Sequence, residues 1–466
     1  MKKLIIPLFL ASFFISSLSV ASIIMSPYVM AVTKNSVYVL VETNTPDTVT
    51  VQYGFGTSYG FTAKSQSIDT TTASPKTYMH NVLLINLIPD TLYNYKAIHG
   101  SSISANSTFR TAVDAITNFR FVWMADCRTG VEVHDRISAL LLAANPRFYL
   151  NGGDLCHGST YEIFKTEYFR TNELSLISKI PFFLSAGNHE GWTQNTKAFS
   201  QAPSTPSSPL GDQAYYSFDY GNIHILVLNT ELPCSVGSAQ YIFAENDLPL
   251  TTKTWKIVIF HKPAYCSGGE GSSSEMRIIT TNVFEPNHVD MAITGHSHFY
   301  QHNYLNGIHH MVLGAGGGPL QDPTSEYYTV KSVKDYNWAT IDVTPSQFFM
   351  TVYNDSNYML DTIRLIKNPG YIKHEVYTGT NYKLSQNYPN PFNPSTAIRY
   401  DLPKAGFVKL TVFDALGREV ESLVNEKQSA GTYEVTFSGM NYPSGVYFYR
   451  LQSGDYTDTK RLLLLK

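Results

Sequence analysis

Cysteine is scarce: only Cys127, Cys156, Cys234 and Cys266 occur in 466 residues. No two of them lie close in sequence, which argues against a zinc–thiolate site. Four cysteines allow three pairings, and a Cys234–Cys266 bridge and free buried thiols both fit their positions after two apolar runs. Charge is also sparse, at 15% of residues with a formal net charge of −3. No basic excess is present to bind nucleic acid or an anionic membrane surface. After the first residues, no apolar run approaches the roughly 20 residues that a membrane-spanning helix needs.

Aromatic residues are plentiful, at 13%. Tyr and Phe suit half-buried strands, so a strand-rich protein is expected. The length exceeds what one core serves and predicts a multidomain chain. Lys2 and Lys3 precede an apolar stretch at 4–14, followed by small residues at Ser19 and Ala21. This is the pattern of a secretory signal over residues 1–21, cut near Ala21. The alternative is a membrane anchor, for which the run is short and interrupted by serines.

Residues 22–112 read as short alternating strands divided by Gly, Pro and Asn turns, the pattern of a β-sandwich. Tyr53-Gly54, His80-Asn81-Val82-Leu83-Leu84, Leu87-Ile88-Pro89-Asp90-Thr91-Leu92-Tyr93 and Phe109-Arg110-Thr111 occur there in that order. In these details the segment resembles the fibronectin-like N-terminal domain of purple acid phosphatases. From 117 to 367 buried-strand runs alternate with helical stretches, clearest at 134–144 and 161–176, an α/β layered pattern.

A polar linker at 368–383 leads to a β-rich segment, 384–466. Its opening, Asn387-Tyr388-Pro389-Asn390-Pro391-Phe392-Asn393-Pro394-Ser395, cannot be helical, because its prolines fix φ and lack a donor. With Asp414-Ala415-Leu416-Gly417-Arg418-Glu419-Val420 and Ser444-Gly445-Val446-Tyr447, this segment resembles the C-terminal sorting domain of the type IX secretion system. The resemblance implies passage through that machinery, with surface attachment or release.

Five blocks in the middle region carry chemistry. They are Met124-Ala125-Asp126-Cys127-Arg128, Gly152-Gly153-Asp154-Leu155-Cys156-His157, Gly187-Asn188-His189-Glu190, Val258-Ile259-Phe260-His261 and Gly295-His296-Ser297-His298-Phe299-Tyr300. Each places an oxygen or imidazole ligand after an apolar run or in a glycine turn, where strand ends gather in α/β folds. One such block is an ordinary turn or a core histidine; five in order are hard to explain as loop decoration. Two metals about 3.5–4 Å apart need a bridging carboxylate with His, Asp or Asn around it. This oxygen and imidazole set suits zinc, manganese or iron. Such metals lower the pKa of bound water, so that hydroxide attacks phosphorus, and they stabilise the transition-state charge.

The blocks resemble those of the calcineurin-like metallophosphoesterases and, within them, the purple acid phosphatases: Gly-Asp-x-Gly, Gly-Asp-x-x-Tyr, Gly-Asn-His-Glu, Val-x-x-His and Gly-His-x-His. The resemblance implies a four-layer α/β sandwich. It also implies one metal on Asp126, Asp154 and His298, and another on Asp154, Asn188, His261 and His296. His189 would protonate the leaving group, with Glu190 holding it.

Two positions depart from the pattern. His157 replaces the iron-binding Tyr, which implies a colourless enzyme; it reads either as a further metal ligand or as an outward loop residue. Arg128 reads either as a fork onto a substrate phosphate or as a structural ion pair. His302 continues the last block and is a candidate for the substrate pocket. Gly314-Ala315-Gly316-Gly317-Gly318-Pro319 lacks the Gly-Lys-Ser/Thr ending of a P-loop and reads as a tight turn near the metals.

The expected function is hydrolysis of phosphomonoesters by an exported, two-metal enzyme. The alternatives are a phosphodiesterase or nucleotide hydrolase of the same superfamily, and a surface binding protein with a structural metal site.

Overall fold

The computed structural model describes residues 20–114, 117–203, 213–367, 381–439 and 442–465. Nearly all of the expected signal and most of the expected linker therefore lie outside the described residues. The chain forms two compact units: one runs to Thr344 and includes Phe349–Ile363, and the other comprises Pro345–Phe348 and Arg364–Lys466.

The first unit is built on two sheets of ten and seven strands. The strands Phe119–Met124, Phe148–Asn151 and Phe182–Leu184 pair in parallel, and Trp338–Val343 lies antiparallel beside the first. Ile223–Val227, Trp255–Ile259, Met291–Thr294 and Ile308–Leu313 are the parallel core of the second sheet. These strands are mostly apolar because both of their faces are covered.

Between the sheets, Phe183 stacks on Phe218 at 3.9 Å, and Phe148 meets Tyr220 at 4.6 Å. Full burial of each such ring stabilises the fold by about 1.5–3 kcal/mol. On the outer face of the seven-stranded sheet, Leu226, Val258 and Ala292 pack against Tyr241 and Ala244 of the helix Ala239–Asp247 and Met276 and Ile279 of the helix Ser274–Ile279. On the outer face of the other sheet, Tyr149 and Phe182 lie 6.1 Å apart, and Tyr28 bridges from Phe182 to Phe169 of the helical segments. The layers run helix, sheet, sheet, helix.

The N-terminal strands are not set apart by a linker. Tyr28–Met30 pairs in parallel with Phe182–Leu184, with Met30 opposite Phe182. Through it, Val37–Thr43, Tyr78–Leu84 and Ser67–Thr70 extend the ten-stranded sheet. A separate antiparallel sheet holds Phe61–Lys64, Thr50–Gly54, Leu92–His99 and Ser102–Ile103, with Ser107–Arg110 paired to Leu92–His99.

The helix expected over 161–176 is interrupted. A short helix, Tyr161–Ile163, passes into a π-helical turn, Phe164–Tyr168; after Phe169 and Arg170 leave helical geometry, Thr171–Ile177 begins again. All four cysteines are free and buried, so there is no Cys234–Cys266 bridge.

In the second unit, a three-stranded and a four-stranded antiparallel sheet enclose a core that includes Phe392, Ile398, Tyr400, Leu410, Tyr449 and Leu462. Gly445–Ser453 alternates strictly between buried and outward residues, as a strand with one covered face requires. Among the described residues, no helix is long and apolar enough to cross a membrane.

Candidate metal centre

The five blocks meet at the ends of the parallel strands. Asp126 follows Phe119–Met124 and Asp154 follows Phe148–Asn151; both adopt positive φ, at 57° and 52°. His296, after Met291–Thr294, has φ 72°. Such left-handed turns on non-glycine residues carry strain, which the surrounding structure must hold in place. Here backbone ties do so: Asp126 donates its N–H to Gly153 O at 2.8 Å, and Gly318 N–H donates to Asp126 O at 2.8 Å.

Asp126, Asp154 and His298 are buried, and a ligand atom from each lies within 4.8 Å of the others. His298 Nδ1 bonds to the carbonyl of Pro319 at 2.8 Å, and its Nε2 faces Asp126 Oδ1 at 3.5 Å. A second group adjoins them. His261 Nδ1 bonds to Gly152 O at 2.8 Å, while its Nε2 lies 3.1 Å from Asn188 Oδ1, 3.2 Å from His296 Nδ1 and 3.3 Å from Asp154 Oδ1. Asp154 therefore belongs to both groups.

Pinning Nδ1–H to a backbone carbonyl fixes the ring and leaves the Nε2 lone pair for a ligand. Two buried carboxylates with these nitrogens fit divalent cations, and Asp126 Oδ1 makes no hydrogen bond within the protein. Burial lifts the Asp126 carboxyl above its usual value. Burial alone would lift Asp154 as well, but His261, the His189 N–H and Arg128 outweigh it and hold that carboxyl low. Burial and the neighbouring His261 drive His296 down to about 3, so this ring is neutral and available as a ligand.

Arg128 places Nε 3.3 Å from Asp154 Oδ2 and Nη2 3.3 Å from His298 Nε2. It forms the ion-pair arrangement, with its charge at the edge of the three-residue cluster. His189 lies beside the same carboxylate: its N–H donates to Asp154 Oδ1 at 3.0 Å, and Nε2 is 3.7 Å from Oδ2.

Three residues have partners that the sequence did not foretell. Glu190 does not hold His189: its buried carboxylate accepts the backbone N–H groups of Gly187 at 2.7 Å and of Asp154 and Leu155 at 3.1 Å each. Burial and the adjacent Asp154 push its carboxyl up to about 8. His157 is not brought into the three-residue cluster; its Nδ1 is bonded to Glu167 and its side chain is 49% exposed. His302 turns to His309, 2.8 Å away, and to Asp361, because its place on the strand Tyr300–Leu305 directs it there. A substrate-pocket role for His302 finds no support in those contacts.

The glycine run packs against the cluster, as its lack of a P-loop ending implied. A Cβ on Gly318 would stand 2.6 Å from His298 Cε1, and one on Gly314 would stand 2.8 Å from Asp126 Oδ2. Sequence reading missed Glu167, which sits in an ordinary Lys-Thr-Glu-Tyr run with no spacing signal.

Comparison with known proteins bears on family and fold. Residues 119–300 match the calcineurin-like phosphoesterase family, and residues 386–465 match the secretion system C-terminal sorting domain. The chain is 24% identical over 330 residues to a probable inactive purple acid phosphatase 1 of Arabidopsis thaliana, covering 57% of this chain and 53% of that protein. It is 28% identical over 191 residues to purple acid phosphatase 22 of the same plant, covering 36% and 44%. The chain thus spans about half the length of the curated relatives it matches.

Among solved structures, a purple acid phosphatase from yellow lupin (Lupinus luteus) seeds superposes with a TM-score of 0.64 at 19% identity, over 73% of this chain and 74% of that one. PhoD superposes with a TM-score of 0.56 at 12% identity, over 72% and 91%. These two likenesses show the fold. The chain therefore carries a calcineurin-like phosphoesterase domain with purple acid phosphatases among its relatives, a fold that implies divalent metal ions, and a C-terminal sorting domain that directs type IX secretion to the cell surface or beyond.

Proposed function

We propose that this chain hydrolyses phosphomonoesters with two metal ions, one on Asp126, Asp154 and His298 and one on Asp154, Asn188, His261 and His296. The carrying observation is the position of Asp154, whose Oδ1 faces His261 Nε2 at 3.3 Å while Oδ2 faces the side where Arg128 meets His298. One carboxylate shared by two ligand groups is the arrangement that two-metal phosphoester hydrolysis uses. Iron, zinc and manganese all suit these donors, and when bound they activate water and neutralise the charge of the phosphate.

The residues of the chain do the rest. His189, its backbone fixed on Asp154 and its Nδ1 3.2 Å from the carbonyl of His157, stands 31% exposed beside the cluster and donates a proton to the departing alkoxide. Arg128, 17% exposed, turns its guanidinium to a phosphoryl oxygen once cations take over the neutralisation of Asp154. The N-terminal sheets are read as the fibronectin-like domain; the first 21 residues, read as an export signal, and the sorting domain support an enzyme that acts outside the cell.

The test is hydrolysis of p-nitrophenyl phosphate and bis-p-nitrophenyl phosphate by the metal-loaded chain, alongside Asn188→Ala and His189→Ala. Preference for the monoester, lost in both variants, supports the reading. Preference for the diester replaces monoesterase with diesterase. No turnover with any of the three metals leaves a surface binding protein.

A further inference from the structure

Glu167 is a buried carboxylate that the two-metal reading does not use. It sits in the π-helical turn Phe164–Tyr168, a geometry that interrupts regular helix and recurs at functional sites. Its Oε2 accepts the backbone N–H of His157 at 2.8 Å and of Thr129 at 3.2 Å, and Oε1 bonds to His157 Nδ1. One side chain thereby ties the loop of Asp126 to the loop of Asp154 and fixes the imidazole of His157, a residue whose backbone carbonyl lies 3.2 Å from His189 Nδ1.

The turn is itself firmly seated. His134 Nδ1 bonds to Glu167 O at 3.0 Å. Two residues before Glu167, Lys165 reaches the fully buried Glu42 of the N-terminal strand Val37–Thr43 at 2.8 Å, and Thr77 Oγ1 donates to the same carboxylate at 2.8 Å.

Resting on the phosphoesterase reading above, we propose that Glu167 is a positioning residue that holds His157 to contact a phosphoryl oxygen of the bound ester. With Nδ1 committed to Glu167, Nε2 is the edge left for a ligand, and the half-exposed ring gives a ligand access to it. A ring lying between a carboxylate and a phosphoryl oxygen donates to both anions. Such charge-assisted bonds are stronger than neutral ones. His157 is then a substrate-binding residue rather than a metal ligand.

Glu167→Gln separates this role from mere support. The amide oxygen still accepts the N–H groups of Thr129 and His157, but its NH2 faces Nδ1 and forces that nitrogen to accept. The ring keeps one donor and loses its charge. The experiment compares full-length wild type, Glu167→Gln, His157→Asn and the double variant. It reads bound metal by elemental analysis, inorganic phosphate affinity by calorimetry, and kcat and KM for p-nitrophenyl phosphate.

The expected result is unchanged metal content, with phosphate affinity about ten-fold weaker and KM about ten-fold higher in each single variant, the loss of one charged contact. The double variant falls no further, because both substitutions remove one interaction. Unchanged phosphate affinity in Glu167→Gln overturns the proposal, as does a double variant that loses the product of the two single effects. Metal loss in both single variants also overturns it, by placing His157 among the ligands. Failure of the phosphoesterase reading is distinguishable: the wild type then shows no turnover, while calorimetry still reports on the pair.

Discussion

Glu190 Oε1 accepts the backbone N–H of Asp154 at 3.1 Å, so the residue two positions after Asn188 fixes the loop that carries the shared carboxylate. The same carboxylate takes the N–H groups of Gly187 and Leu155. Glu190→Ala strands three buried donors, each worth about 1–3 kcal/mol when left unpaired. The expected loss is at least about 3 kcal/mol of unfolding free energy, read by urea denaturation. A change within about 0.5 kcal/mol, the range of ordinary surface substitutions, contradicts this role.

Gly187 is required by space. A Cβ there would stand 2.1 Å from Asp154 N and 2.3 Å from Asp154 Oδ1. Both belong to a buried loop that cannot give way, so Gly187→Ala must displace the shared carboxylate. Elemental analysis is expected to show loss of bound metal in a folded variant. Full metal content would show that the loop has room.

His224 gives a pH signature remote from the metals. Its Nδ1 bonds to Asp219 at 2.8 Å and its Nε2 to Asp247 at 2.7 Å. Burial alone would lower its pKa; the two carboxylates overcome burial and raise it from 6.5 to about 9. The folded value exceeds the unfolded one, so the stabilisation is complete below pH about 6.5 and is lost as pH rises through about 9. By linkage the contribution is about 3 kcal/mol. Melting temperature is expected to fall between those pH values, and His224→Gln to flatten the fall. A His224→Gln profile parallel to wild type removes the assignment.

The metal-loaded protein is expected to be colourless. His157 stands where the resembled phosphatases have their iron-binding Tyr, so no phenolate is present there to give a charge-transfer band. A strong visible band from the iron-loaded chain would mean that another tyrosine reaches the metal.

Much of the site was legible because metal chemistry confines ligand types and strand ends confine their places. Asp126, Asp154 and His298 converge, and Asn188 and His296 lie against His261, which itself faces Asp154. Periodicity did not reveal the break inside 161–176, because a single π-helical turn of five residues is too short to leave a period of its own. Glu167 was hidden for the same reason. The merging of N-terminal strands with the central sheet rests on Tyr28–Met30, a three-residue strand too short to announce its partner. His302 continues the last block in sequence, and nothing in that block announced its contact with His309.

The most direct test of the central claim is a titration of metal-free, full-length protein with manganese, following bound metal and p-nitrophenyl phosphate turnover together. Asp154→Ala and Asn188→Ala serve as comparisons. The two-metal account predicts that turnover appears only with the second equivalent. It also predicts that Asn188→Ala keeps one tight ion without activity, and that Asp154→Ala loses both. Full turnover at one equivalent, or turnover in Asp154→Ala, would contradict it.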